Sequence, residues 1–267
     1  MPMTVTTCAT LSEAQQVLRE TPRAKFFGGG TLMMRWMNEA DQSFDAVVRS
    51  TDQNAFEMKA EGDRIVLGSG VTMAQIARER GLEFIAPVAK AVGGPAVRTA
   101  ATVGGNLFAH HPYGDFTVAL LALGAEVTLA DGQTQDLEAF LQNRDRAGIV
   151  SSVSFERPRS PSEFRWHKVS RVKPKGISVM SMAAHLSQQG GRITNSRVAY
   201  GAMAPTPIRV RAVEAALNGQ MLSEQGIGQA VDAAIDGLSP PDDPIASAWY
   251  RREVAPVHFK RMLLEAR

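Results

Sequence analysis

Lys25-Phe26-Phe27-Gly28-Gly29-Gly30-Thr31-Leu32-Met33 is the stretch on which the fold turns. Its first three residues suit a short strand, predicted over Lys25 to Phe27. Three glycines then free the backbone for positive φ and for the close approach of a ligand. Successive N–H groups in such a turn make a concave nest for an anion. A helix predicted from Leu32 to Met37 adds its positive end. A second segment, Ala101-Thr102-Val103-Gly104-Gly105-Asn106, follows the loop Gly93-Gly94-Pro95 and has a hydroxyl and an amide at its ends. Two nests suit a pyrophosphate, although either loop alone also reads as a plain turn. No Gly-Lys-Ser/Thr follows either loop, which excludes a P-loop. Gly68-Ser69-Gly70 lacks the third glycine of a dinucleotide fingerprint.

Outward from these loops, short strands and helices alternate. Glu13 to Arg19 reads as a helix, with Ser12 and Gln15 spaced as a capping box and Leu11, Ala14, Val17 and Leu18 on one apolar face. Ala46 to Val48 and Ile65 to Leu67 are strand-like. Thr72 is set to cap a helix that runs through Arg80 and stops at Gly81. Phe116 to Leu123, opened by Asp115, reads as a buried helix. Glu126 to Ala130 is a strand closed by Asp131-Gly132, and Ile149 to Phe155 is another. Arg157-Pro158-Arg159-Ser160-Pro161-Ser162 is the linker candidate. Beyond it, strands at hairpin spacing (Phe164 to Ser170, Ser178 to Leu186, Arg192 to Tyr200) precede helices over Arg209 to Leu217, Gln225 to Ala234 and Trp249 to Glu265. Strands first and helices afterwards predict an α+β unit with helices on one sheet face.

The chain has 267 residues, long for one domain and comfortable for two. With 29 basic and 27 acidic side chains its net charge is +2, too small a field to argue for nucleic acid or an anionic membrane. Cys8 is the single cysteine, so an intrachain disulfide, a zinc ribbon and an iron–sulfur cluster held by this chain alone are all excluded. The N-terminus has neither a basic nor an apolar signal region, and no apolar run reaches the roughly 18 residues of a membrane span. A soluble, cytoplasmic protein is expected.

Both loops resemble those of the FAD-binding subunits of the xanthine dehydrogenase, carbon monoxide dehydrogenase and aldehyde oxidoreductase family, the molybdenum hydroxylases. Gly28-Gly29-Gly30-Thr31-Leu32-Met33-Met34 is similar to that family's Ala-Gly-Gly-Thr/Gln-Asp/Ser-Leu-Leu. Ala101 to Asn106 is similar to its Ala-Thr-Ile-Gly-Gly-Asn. Pro112, Asp115, the pair Lys168 and Arg171, the segment Gly201 to Arg209 and Tyr250-Arg251 follow in the family's order.

The resemblance implies an α+β chain: a PCMH-type FAD-binding domain of two α/β lobes over residues 1–158, then a carbon monoxide dehydrogenase flavoprotein-like domain over 163–267. It implies FAD as the cofactor, held by Lys25 and the backbone from Phe26 to Met33, and by Thr102, Val103, Gly104, Gly105 and Asn106. Asp115 would accept a hydrogen bond from a flavin or ribityl hydroxyl. Val92, His111, Val150 and Lys168 would lie near the isoalloxazine. Electrons would arrive from a partner large molybdopterin subunit through a small 2Fe-2S subunit. A free-standing flavin reductase of the same FAD-binding superfamily, and a scaffold that has lost the flavin, are the alternatives.

Simpler readings stand beside these. Asp115 is also a preferred helix N-cap. His110 and His111 fit a solvent-lined loop, and Lys168, Arg171, Lys173 and Lys175 fit a solvated basic face. Leu32 replaces the usual acidic or hydroxyl residue, which removes a side-chain acceptor. Gly176 and Val179 also depart from the family, leaving the tuning of the flavin and its acceptor open.

Overall fold

A computed structural model describes residues 3–109, 112–172 and 176–265. The N-terminal lobe runs β1 (Thr4–Cys8), α1 (Leu11–Glu20), β2 (Ala24–Phe26), α2 (Met33–Asn38) and β3 (Ala46–Ser50). β3 lies between β1 and β2, parallel to both. The apolar stripe of α1 packs on this sheet, Leu11 and Ala14 meeting Cys8 and Val48. Its cap is Thr10 and not Ser12. Thr10 Oγ1 accepts from Glu13 N at 3.1 Å, and Glu13 in return accepts from Ala9 N at 2.8 Å. Gln15 is unavailable for a box because its Oε1 accepts from the distant Ile149 N at 2.5 Å.

A second lobe contains β4 (Met58–Glu61), β5 (Arg64–Gly68), α3 (Met73–Ile76), α4 (Ala86–Ala91), α5 (Pro95–Arg98), α6 (Val103–Leu107), α7 (Asp115–Ala122), β6 (Glu126–Leu129), β7 (Thr134–Asp136), α8 (Leu137–Asn143) and β8 (Val150–Glu156). Its antiparallel sheet has the order β4-β5-β8-β6-β7. Thr72 caps α3 with a reciprocal box to Gln75, but the α-helix ends at Ile76, short of the predicted Arg80.

After a turn over Pro161–Glu163 come β9 (Phe164–Ser170), β10 (Ser178–Gln189), β11 (Arg192–Gly201), β12 (Ile208–Arg209), α9 (Arg211–Leu217), α10 (Gly228–Asp232) and α11 (Ala248–Leu264). The four strands form an antiparallel sheet in the order β12-β11-β10-β9. Arg209 is a strand residue, where sequence predicted the start of a helix, and its guanidinium binds Glu214 with Nε at 2.9 Å.

Side chains along β10 alternate between faces, as strand geometry requires. Met180, Met182, Ala184 and Leu186 join Val213, Leu217 and Phe259 from the C-terminal helices. Ala183, on the other face, joins a core built around α7 and the five-stranded sheet, as do Phe164 and Ala199. α7 is buried on every side from Phe116 to Ala122, with Thr117 the one polar side chain in that stretch, and packs across β10 and β11. A Cβ on Gly201 would meet Val118 Cγ2 at 2.8 Å, so glycine there permits the approach of the helix. The sequence expectation of helices on one sheet face thus covers half of the arrangement: the second face is closed by a helix from the N-terminal half. No helix of the described residues is long and apolar enough to cross a membrane.

Candidate functional site

A cleft of about 660 Å³ opens between the two N-terminal sheets, lined by the glycine loop after β2. Lys25, Phe26, Phe27, Gly28, Gly29, Gly30, Thr31, Leu32 and Met33 all border it, and Thr102, Gly104, Gly105 and Val150 face them. The two loops approach at van der Waals distance. A Cβ added to Gly29 would fall 1.5 Å from the Ala100 carbonyl oxygen, and one on Gly28 would lie 3.3 Å from Thr102 Oγ1.

The backbone of the first loop has hydrogen-bonding capacity to spare. Phe27 N donates to Val48 O at 2.7 Å, and Met34 N to Gly30 O at 2.8 Å. Between them, among the described residues, no acceptor takes the N–H groups from Gly28 to Met33. Backbone N–H groups with no protein acceptor are free to donate to water or to a ligand. Six in succession beside a cleft, with the positive end of α2 following, form an anion cradle.

The second loop differs from the sequence expectation of a second nest. Val103 N donates to Val71 O and Gly104 N to Ser69 O, both at 2.8 Å; Gly105 N donates to Thr102 Oγ1 at 3.1 Å and Asn106 N to Thr102 O at 2.9 Å. The backbone donors from Val103 to Asn106 are thus spent on the protein itself. Thr102 is the N-cap of α6, and Ser69 and Val71 supply carbonyl acceptors that sequence spacing could not foresee. The loop acts as a wall, with Val103 buried in the core behind it.

Other predicted residues lie elsewhere. Val92, at the end of α4, packs half-buried against the core and is not part of the cleft lining. Asn106 also lies outside the lining, close to Thr117 Oγ1. Asp115 does not cap α7, since Gly114 holds the N-cap position without a side-chain bond. Its carboxylate is instead shared between Lys168 Nζ at 2.7 Å and Ser178 Oγ at 2.5 Å, in a pair nine-tenths buried. Lys168 also reaches Ala91 O at 3.3 Å, so it is no solvated surface cation. His110, His111, Lys173 and Lys175 lie outside the described residues.

Sequence reasoning missed several lining residues, among them Leu11, Leu18, Phe56, Gly70, Phe108 and Arg144. Burial pushes the Arg144 guanidinium down in pKa. Its Nη1 donates to Leu107 O at 2.9 Å and Ala109 O at 2.6 Å, tying the exit of α6 to the cleft floor. Lys25 carries its ammonium over the rings of Trp36, at 4.6 Å, and Phe44, at 5.1 Å. The cleft therefore combines unpaired donors, cationic flanks and mostly apolar walls, a combination suited to an anionic ligand with flat rings.

A tether joins the segment before Asp115 to α11. Arg251 is fully buried and donates to Val179 O at 2.8 Å, to Ala246 O at 2.8 Å and to both oxygens of Asp243. Tyr113, two residues before Asp115, donates to Asp243 Oδ2 at 2.6 Å. Burial and that carboxylate push the Tyr113 phenol up to about 12.

Comparison with known proteins agrees with this geometry. Residues 1–155 match the family model described as the FAD binding domain in molybdopterin dehydrogenase, and residues 164–266 match the CO dehydrogenase flavoprotein C-terminal domain. The chain is 25% identical to the xanthine dehydrogenase FAD-binding subunit of Escherichia coli O157:H7, over 97% of this chain and 94% of that protein. In fold it matches a chain of carbon monoxide dehydrogenase from Hydrogenophaga pseudoflava with a TM-score of 0.88 at 21% identity, covering 98% and 96% of the two chains. A chain of quinoline 2-oxidoreductase from Pseudomonas putida 86 matches with a TM-score of 0.88 at 21% identity, covering 100% and 97%.

Proposed function

The chain belongs to the FAD-binding family of the molybdopterin dehydrogenases, and from that premise we propose that it is the electron-transferring subunit of a heteromeric molybdenum hydroxylase. The observation that carries the reading is the run of six unpaired N–H groups from Gly28 to Met33 along the cleft. They would donate to the FAD pyrophosphate, a divalent anion that a glycine cradle can approach where a side chain could not. Thr102, Gly104 and Gly105 would form the wall opposite, with Val103 and Asn106 holding that wall in place. Val92 and Val150 would supply apolar contact to the isoalloxazine, and His111 a polar neighbour. Asp115 would accept from a flavin hydroxyl while Lys168 keeps it oriented.

Bound FAD supplies a redox-active ring that accepts electrons one or two at a time. The work of the protein is to hold that ring and exclude water from its apolar side. The partners in this reading are a large molybdopterin subunit and a small 2Fe-2S subunit, with substrate transformation in the former. The test is purification of the tagged chain from its native host, followed by flavin and metal analysis. FAD accompanied by molybdenum and iron in two further polypeptides is expected. FAD with neither metal would sink the relay and leave a free-standing reductase.

A further inference from the structure

Five aromatic side chains line the cleft: Phe26, Phe27, Trp36, Phe56 and Phe108. Four are engaged by their own surroundings. The Phe27 ring closes on Gly30, where a Cβ would meet Cζ at 2.3 Å. Lys25 covers Trp36, Phe108 meets Phe140 edge-on at 5.8 Å, and Phe26 packs into the core beside Cys8 and Val48. Phe56 differs from all of them. It is 47% exposed and joins no apolar cluster among the described residues.

Its position is nevertheless fixed. The ring lies against Gly70, where a Cβ would sit 2.7 Å from Cε1 and 2.8 Å from Cδ1. The turn that carries it (Gln53–Phe56) is pinned from both ends. Asp52 accepts from Asn54 N at 3.1 Å, Gly70 N donates to Ala55 O at 2.7 Å, and Gly68 N donates to Glu57 O at 2.8 Å. A ring held against a glycine and half exposed beside the cleft is a fixed apolar surface. Exposed aromatic faces of this kind take up nucleobases by stacking.

We propose that Phe56 is the stacking surface for the adenine of FAD, and that Gly70 lacks a side chain so that the ring can lie where it does. The proposal rests on the FAD reading above. Val92, Asp115 and Lys168, three of the residues assigned there to the flavin end, lie outside the cleft lining while Val150 borders it, so the isoalloxazine sits mostly beyond the cleft and the ring received inside it is the other one. This assignment also gives a use to Gly68-Ser69-Gly70, which fits no dinucleotide fingerprint. Its glycines admit the Ala55 carbonyl and the Phe56 ring, while Ser69 O holds Gly104 N.

The test is titration of the flavin-free full chain with FAD, with FMN and with ADP as competitor, in wild type, Phe56→Leu and Phe56→Tyr. Phe56→Leu is expected to weaken FAD and ADP about tenfold or more, to leave FMN unchanged and to keep the melting temperature. Phe56→Tyr keeps a stacking face and is expected to retain wild-type affinity. Unchanged FAD and ADP affinity in Phe56→Leu overturns the assignment, as does an equal loss for FMN. A wild-type chain that takes up no FAD at all overturns the flavin reading itself, and this one with it.

Discussion

The three glycines of the first loop are not interchangeable. A methyl on Gly28 would meet only Thr102 Oγ1 at 3.3 Å, whereas one on Gly29 would overlap the Ala100 carbonyl at 1.5 Å. Gly29→Ala must therefore part the two loops, at a cost of about 1–3 kcal/mol for overpacking. We expect Gly29→Ala to lower the melting temperature and lose most bound FAD, and Gly28→Ala to stay near wild type; equal behaviour of the two would refute the close-contact argument. The glycine triplet was legible as a cradle from its residue types alone. Its inequality was not, because Ala100 is brought there by the fold. For the same reason the fate of the Val103 and Gly104 N–H groups was not legible: their acceptors, Val71 O and Ser69 O, are distant in sequence.

Among elements, the legible ones were those with their own periodicity. The hairpin strands β9, β10 and β11, the apolar helix α7 and the amphipathic α1 lie close to where alternation and helical spacing put them. The short helices α4, α5 and α6 were not foreseen, because each is little more than a turn whose shape tertiary contacts decide. The approach to α11 is another feature of that kind. Burial alone would raise the Asp243 carboxyl, but hydrogen bonds from Tyr113, Ala246 N, Ile245 N and Arg251 outweigh it and hold the group below the usual carboxylate range. The folded chain thus binds this proton more weakly than the unfolded chain, whose aspartates titrate at about 3.9. The stability it contributes is complete above that pH and drains away as pH falls through the lower folded value. Asp243→Asn should be less stable at neutral pH and lose less on acidification from pH 6 to 3, read by thermal melts. Parallel acid profiles for the two proteins would show that Asp243 is not the group responsible.

At the scale of the molecule, linker composition suggested two units, and the C-terminal sheet and helices do have a core of their own. The other large core does not respect the linker, since Phe164, Ala183 and Ala199 are packed into it with α7. Removing the C-terminal half would uncover α7, Asp115 and the Tyr113 tether together. We therefore expect calorimetry of the full chain to give one cooperative transition, with calorimetric and van't Hoff enthalpies equal. Two resolved transitions would mean that the halves melt separately. Composition gives no hint of this coupling, because a helix as apolar as α7 reads as buried without saying which sheet buries it.

The position of α7 also constrains how such a chain can change over generations. Gly201 has no room for a side chain because Val118 lies against it, and Ala183 shares the core that α7 enters. A larger residue at Gly201 must be answered by a smaller one at Val118, across the linker. The two halves therefore share a fitted surface, and a half taken from a relative would bring its own partner for Val118 or Gly201 to that surface.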